Sequence, residues 1–264
     1  MTQSYEEIRA SVLAKFPTVP VISNYEMIVL LQKQFNHKEN DTPSTDVKLL
    51  NAVFQLLREE NKETNDEAAA KNFEKFRDGI GDQITIAHCI AFKFDGLTDQ
   101  PFDLLPDDQR PQNYTEYCNN VNAKLAVLDD VLVGKRVSNE GDITEQIILS
   151  TASNEEKQKA FSEYMTALHS LPLSSKINLR EDLIEITLSS LSKICKTEEI
   201  AQKTLEAYQQ KGYIVHIEES ENGWVIKVSE DCIVGGQPIP KNKFLKALDW
   251  QESQLVNLDE TPIW

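Results

Sequence analysis

Paired cysteines are missing from this chain. Cys89, Cys118, Cys195 and Cys232 stand far apart, and no two share the short spacing that a zinc site or a dithiol motif requires. A reduced, cytoplasmic protein is the reading that follows. Long apolar runs are also missing: a stretch such as "MIVLL", Met27 to Leu31, falls well short of a bilayer span, and no charged-then-apolar leader follows Met1. No membrane partner is expected. Positive charge is scarce, with 27 basic against 43 acidic residues and a formal net charge of -16. Such a surface repels nucleic-acid phosphate, so no stable nucleic-acid complex is expected, and a phosphate ligand would need a cation between it and the protein. Glycine and proline are sparse, at nine and ten in 264 residues. With 40% hydrophobic and 27% charged residues, this is the balance of a helix-leaning globular protein.

What is present is mostly helical periodicity. Ser23 and Glu26 take capping-box spacing ahead of Ile28, Leu31 and Phe35, which predicts a first core helix. In "VKLLNAVFQLLREENKE", Leu49, Val53 and Leu56 recur at helical intervals and predict a second. A break at "TNDE", with Asn65 or Asp66 as cap, then leads into a third helix, apolar at Phe76, Ile80 and Ile84 on one side and at Ile86, Cys89 and Ile90 on another. From Gly96 to about Asn113 prolines and acids break every period, predicting a loop. Helices resume at "YTEYCNNVNAKLAVLDDVLV", "EEKQKAFSEYMTALHSL", "LREDLIEITLSSLSKI" and "TEEIAQKTLEAYQQKG". After them "YIVHIEE" and "WVIKVS" flank an Asn-Gly turn and read as a hairpin, while "GGQPIPKNKFLKALDW" predicts a third strand or an extended arm. The tail after Trp250 reads as peripheral.

The chemistry is concentrated in "REENKET", Arg58 to Thr64. Continuing the stripe Leu49, Val53, Leu56 places Glu60 and then Glu63 where apolar residues are expected, and Glu59 and Glu63 are helical neighbours. Asp78 and Asp82 repeat the conflict on the next helix. A buried, unpaired carboxylate costs several kcal/mol or takes up a proton, so a compensating partner is expected. The spacer between Glu63 and Asp78 lets the chain turn back antiparallel and bring both acidic groups together. Converging oxygen donors without His or Cys suit a hard divalent cation, magnesium or manganese. The plainer alternative is that these acids sit on solvated helix faces. Two glycines in "DGIGD", Gly79 and Gly81, weigh against it, because small residues beside acids predict the close approach of a helix or ligand.

"REENKET" followed by "FRDGIGDQITIAHC" resembles the all-α nucleoside triphosphate pyrophosphohydrolases, the MazG-like superfamily. The family pattern is Glu-Glu-x-x-Glu, a spacer, then Glu-x-x-Asp. Glu59, Glu60 and Glu63 match the first half and Asp82 the last position. Gly79 stands where the family has Glu, with Asp78 one residue earlier as in the Asp-Gly variant of phage-type members. "EITLSSLSK", Glu185 to Lys193, resembles a third family segment, in which Lys193 matches a phosphate-facing lysine and Ser190 replaces an asparagine. The resemblance implies an all-α NTP-pyrophosphatase-like helical bundle over residues 1–195. It carries a helical insertion at about 97–178 and is followed by a small α+β appendage over 196–264. It implies a homodimer, and host cytoplasm where a phage encodes the chain. It further implies cleavage of a nucleotide substrate between the α and β phosphates, releasing the monophosphate and pyrophosphate. Glu60, Glu63, Asp78 and Asp82 would hold magnesium, Glu59 would be a ligand or the base that orients water, and Lys193 would bind a phosphate oxygen. Glu59, Glu60 and Glu63 thus form the catalytic set.

His88, in "ITIAHCIAF", reads as a packed core residue and His37 as a loop histidine. Lys241, Lys243 and Lys246 read as cations that keep a sheet edge soluble, with closure over nucleotide phosphates as the alternative. The competing functional class is an acidic, non-enzymatic binding protein, either a nucleic-acid mimic or a family member that binds nucleotides without hydrolysing them. A mimic would spread its acids over exposed surface.

Overall fold

A computed structural model describes residues 47–93, 97, 102–133, 136–137, 146–147, 150–220, 223–239, 241–255, 258 and 262–264. The predicted helix around Ser23–Phe35 and His37 lie outside the described residues. The described chain is mainly helical, with a small three-stranded antiparallel sheet towards its C-terminal end. It divides into two compact units: one runs to residue 183 and takes up residues 255–264 again, and the other covers residues 184–254.

In the first unit, α1 (Val47–Ala70) and α2 (Phe73–Lys93) form a helical hairpin. The buried stripe of α1 is Leu50, Val53, Phe54, Leu57 and Thr64. This corrects the predicted stripe: Leu56 is 41% exposed, and the side chain of Leu49 lies outside the described ones. The predicted break at "TNDE" is also corrected, since α1 runs through it to Ala70. The physical reason is local. Thr64 Oγ1 donates to the Glu60 carbonyl at 2.7 Å and Asn65 Nδ2 to the Asn61 carbonyl at 2.5 Å, so these polar side chains return their bonds to the helix. Three alanines then continue it. The true stop is Lys71, left-handed at φ 57°, where the Lys71 and Asn72 amides close onto the Ala68 and Glu67 carbonyls.

The segment around Asp107–Gln109 is loop and one 3-10 turn, as its prolines predict. Next, α3 (Tyr114–Leu132) buries Tyr114, Tyr117, Val121, Leu125, Leu128 and Leu132, and α4 (Asn154–His169) starts at a Ser153–Glu156 capping box. A short ladder, β1 (Arg136–Val137) with β2 (Gln146–Ile147), lies between them. α3 packs on α4 and on α1, and α2 packs on α4, so two helical pairs close into a four-helix arrangement within one chain. The α1–α3 seam is polar. Arg58 forks onto Asp129, and Asn61 and Asn65 both meet Asn122, at 2.8 and 3.0 Å.

From Leu183 to Leu188 every residue of α5 (Leu179–Leu191) is buried, and α5 carries the chain from the first unit into the second. There α6 (Glu198–Gln210) packs on β3 (Val215–Ser220) and β4 (Gly223–Val228), and β7 (Phe244–Leu245) completes the order β3-β4-β7. Ile226 and Val228 join Cys195, Ala201 and Leu245 in the core of this unit. Strand alternation puts Lys227 on the other face, paired with Glu218 and over the Phe244 ring. Gly223, at φ 146°, lets the backbone exchange two hydrogen bonds between Cys195 and Trp224; a side chain there would strike the Cys195 carbonyl. The predicted third strand is β7, and β5 (Cys232–Val234) with β6 (Gln237–Ile239) adds a separate hairpin. Lys241, Lys243 and Lys246 flank the edge strand β7 and are exposed. Lys246 lies over the Trp250 ring.

Within the tail read as peripheral, Trp264 makes specific contacts although it is only half-buried. Trp264 belongs to the first unit, where its ring meets Phe76 at 5.4 Å, Tyr114 at 5.5 Å and Phe73 at 6.3 Å, and the Tyr114 amide donates to the Ile263 carbonyl at 2.9 Å. A single tryptophan after a polar stretch has no periodicity to announce such contacts.

Candidate functional site

The α1–α2 hairpin sets the candidate carboxylates on adjacent helices at one level. Thr64 fixes that level. Gln83 Nε2 donates to Thr64 Oγ1 at 2.8 Å, and Gly79 faces the same threonine. Glu60 and Glu63 lie within one turn of Thr64 on α1, and Asp78 and Asp82 bracket Gly79 on α2. Close helix approach, predicted from the glycines, is what Gly79 provides. A Cβ built there would overlap the Thr64 hydroxyl and stand 3.2 Å from its Cβ.

A buried relay anchors this level. The Tyr164 hydroxyl donates to Gln83 Oε1 at 3.2 Å, Gln83 donates to Thr64, and Thr64 donates to the backbone carbonyl of Glu60. Tyr164, Gln83 and Thr64 are all buried. The relay ties α4, α2 and α1 together and ends on a candidate residue. Its sequence signal was a glutamine and a threonine at buried helical positions, which only burial distinguishes from surface polar residues.

The predicted residues differ in environment. Glu59 and Glu63 are exposed, and Glu60, Asp78 and Asp82 are half-buried. Glu59 accepts from Gln55 at 3.3 Å, and Asp78 lies 3.9 Å from the Lys75 ammonium. The cations of "REENKET" are engaged elsewhere: Arg58 with Asp129, and Lys62 with Asp66. Lys193 belongs to the second unit, half-buried just beyond α5, with its amide on the Ser190 carbonyl at 3.2 Å. The neighbouring Ser189 and Ser192 hydroxyls both donate to the Gln251 carbonyl, at 2.9 and 3.1 Å, which ties the "SSLSK" segment to the chain beyond β7.

One buried pair was not foreseen. Arg77 forks onto Asp182 with Nε–Oδ2 2.9 Å and Nη2–Oδ1 2.5 Å, at 3% and 1% exposure. The guanidinium lies 5.9 Å from the Phe73 ring centre. Burial pushes the Asp182 carboxyl above the ordinary aspartate range, against the pull of Arg77, and Glu181 and Asp78 push it further.

No protein-family model, curated protein or solved structure matches this chain. The fit of a cation therefore rests on the residues themselves. Their chemistry is suitable, since carboxylate oxygens are the donors a hard divalent ion takes. As the side chains stand, no three His, Cys, Asp or Glu among the described residues are gathered into a group that could hold a metal.

The packing at Gly79 carries a prediction. Gly79→Ala gains about 1 kcal/mol of helix propensity but overpacks the seam, and a net loss of about 1–2 kcal/mol is expected. In a double-mutant cycle Thr64→Ala should relieve the clash, so the double variant should be more stable than the two single losses add up to. Urea midpoints of the four proteins measure this. Additive losses would mean that Gly79 does not press on Thr64.

Proposed function

We propose that this chain is a magnesium-dependent nucleotide pyrophosphohydrolase that cleaves a nucleoside triphosphate or related nucleotide to the monophosphate and pyrophosphate. What supports the reading is that α1 and α2 form a hairpin with Thr64 against Gly79 and Gln83, so that the Glu59–Glu63 and Asp78–Asp82 segments lie on adjacent helices at one level, in the order of the family pattern that these residues resemble. Glu60, Glu63, Asp78 and Asp82 would hold the ion. Magnesium, or manganese in its place, supplies neutralisation of phosphate charge and a more acidic water. Glu59, exposed beside Gln55, would orient that water, and Lys193 would carry a phosphate oxygen. A side chain at Gly79 in place of the family's glutamate would meet Thr64, and Asp78 would take that role instead. The homodimer is part of the same proposal, although α3 and α4 already close the helical arrangement within one chain.

A second reading, an acidic binding protein that does not hydrolyse nucleotides, is favoured by the exposure of Glu59 and Glu63. A panel of ribo- and deoxyribonucleoside triphosphates with magnesium separates the two. The hydrolase reading expects pyrophosphate from at least one of them, and about a 100-fold or greater loss in Glu60→Ala. Release from none, with Glu60→Ala matching the wild type in magnesium titrations, would sink it; nucleotide binding without release would establish the second.

A further inference from the structure

The first unit also carries a cleft of about 350 Å³, bounded by α3, α4 and the segment 102–105. That is room for one small molecule. The segment is fixed in place: the Thr166 hydroxyl donates to the Asp103 carbonyl at 2.8 Å, the Leu105 amide donates to Ser170 Oγ at 3.0 Å, and the Phe102 and His169 rings lie 4.5 Å apart, centre to centre. Phe102, Leu105 and Ala167 give the cleft apolar surface, and the half-buried Asn120 carboxamide gives it a donor and an acceptor. Its charged groups are balanced, in contrast to the chain's net -16: Lys124 and Lys159 stand with Asp103 and Glu163. Lys124 of α3 and Glu163 of α4 pair with each other at 2.8 Å. This hydrogen bond holds the Glu163 carboxyl below the ordinary glutamate range; burial opposes it, and the charges of Lys124 and Lys159 add to it. Lys159 and Asp103, both exposed, are the other two opposite charges at the cleft.

We propose that this cleft binds a free amino acid with an apolar or aromatic side chain. Lys159 takes its carboxylate, Asp103 its ammonium, and the side chain lies along Phe102, Leu105 and Ala167, while Lys124 and Glu163 stay paired. A net anion brings its charge against Asp103 and Glu163, and a net cation against the two lysines. A zwitterion instead answers both of the charges that the Lys124–Glu163 pair leaves over. Both of those charges are exposed, so each contributes modestly and the affinity is in the range of about 1 mM. The site is separate from the acidic level of α1 and α2 and does not rest on the hydrolase reading. The two meet only through α4, where Glu163 lines the cleft and the next residue, Tyr164, opens the buried relay to Gln83, Thr64 and Glu60.

The test titrates the full chain with L-phenylalanine and L-leucine and follows backbone amide NMR shifts. Three comparators each lack one feature: phenylpropionate has no ammonium, phenethylamine no carboxylate, and glycine no side chain. At least one of the two amino acids should shift the Asn120, Ser162 and Thr166 amides saturably, and each comparator should bind about tenfold more weakly or worse. Lys159→Gln and Asp103→Asn should each weaken the amino acid about threefold or more, with the thermal midpoint unchanged because both positions are exposed. Phenylpropionate should lose affinity in Lys159→Gln alone, and phenethylamine in Asp103→Asn alone. No saturable shift at these amides up to about 20 mM of either amino acid would overturn the proposal. So would phenylpropionate or phenethylamine binding as tightly as phenylalanine, or an affinity that neither variant changes.

Discussion

Arg77→Met lowers the stability of the protein by about 3–5 kcal/mol at pH 7, because it leaves the Asp182 carboxylate buried at 1% exposure without its counter-charge. Methionine fills similar volume, so the loss is electrostatic in origin rather than a cavity. Two further results separate this cause from simple packing. Burial already holds the Asp182 carboxyl above its ordinary range, and removing Arg77 raises it further. The carboxyl can then escape its penalty by taking a proton, so the difference between variant and wild type should shrink as pH falls from 7 towards 5. The double variant Arg77→Met with Asp182→Leu removes both charges and should lie within about 1–2 kcal/mol of the wild type, because the desolvation cost of both ions disappears with their attraction. Urea titrations at pH 7 and pH 5 on the three proteins measure all of this. A pH-independent loss for Arg77→Met would mean that the guanidinium acts through its packing on Phe73 instead.

Acid should weaken the first unit through His169. This ring lies against Phe102 at 4.5 Å between centres, with Nδ1 2.9 Å from the Met165 carbonyl. Burial pushes its pKa down to about 4; the Met165 carbonyl works against this, and His88 adds to it. In the unfolded chain the imidazole titrates near its ordinary value of about 6.5. Between these values the unfolded chain binds the extra proton and the folded chain does not, so stability rises with pH across the window. The contribution is fully present above pH ~6.5 and is lost as pH falls towards about 4, amounting to roughly 3 kcal/mol. His169→Gln keeps a donor for the Met165 carbonyl and cannot titrate. Unfolding midpoints at several pH values should therefore fall less steeply for this variant than for the wild type. Parallel slopes for the two proteins would assign the acid sensitivity to other groups.

Much of the helical order was legible because it depends on nearest neighbours along the chain. The predicted α3, α4, α5 and α6 all form near their predicted bounds, and Asn113, Ser153 and Thr197 cap three of them through their own side chains. The hairpin of β3 and β4 followed from β-branched residues around an Asn-Gly turn, and it pairs Val215 with Val228 through to Ser220 with Gly223. The helix register was less legible. Leu49–Val53–Leu56 and Leu50–Val53–Leu57 are both helical stripes, and periodicity alone does not choose between them. The choice belongs to α2 and α3, which bury Phe54 and Leu57 and leave Leu56 exposed. With that choice the acids of "REENKET" move: Glu59 and Glu63 turn outward, and Thr64, a residue without charge, takes the inward place next to Gly79.

The sequence by itself determined the element types, the antiparallel return that brings the two acidic segments to one level, and the close approach at Gly79. Local propensity, chain reach and the size of a side chain are all written residue by residue. Only the tertiary structure decided which carboxylates are half-buried, that Arg77 and Asp182 pair across α2 and α5, and that Trp264 closes over Phe76 and Tyr114. Those outcomes join residues distant along the chain, and their energies come from desolvation and from rings meeting edge to face, which exist only once the helices are packed.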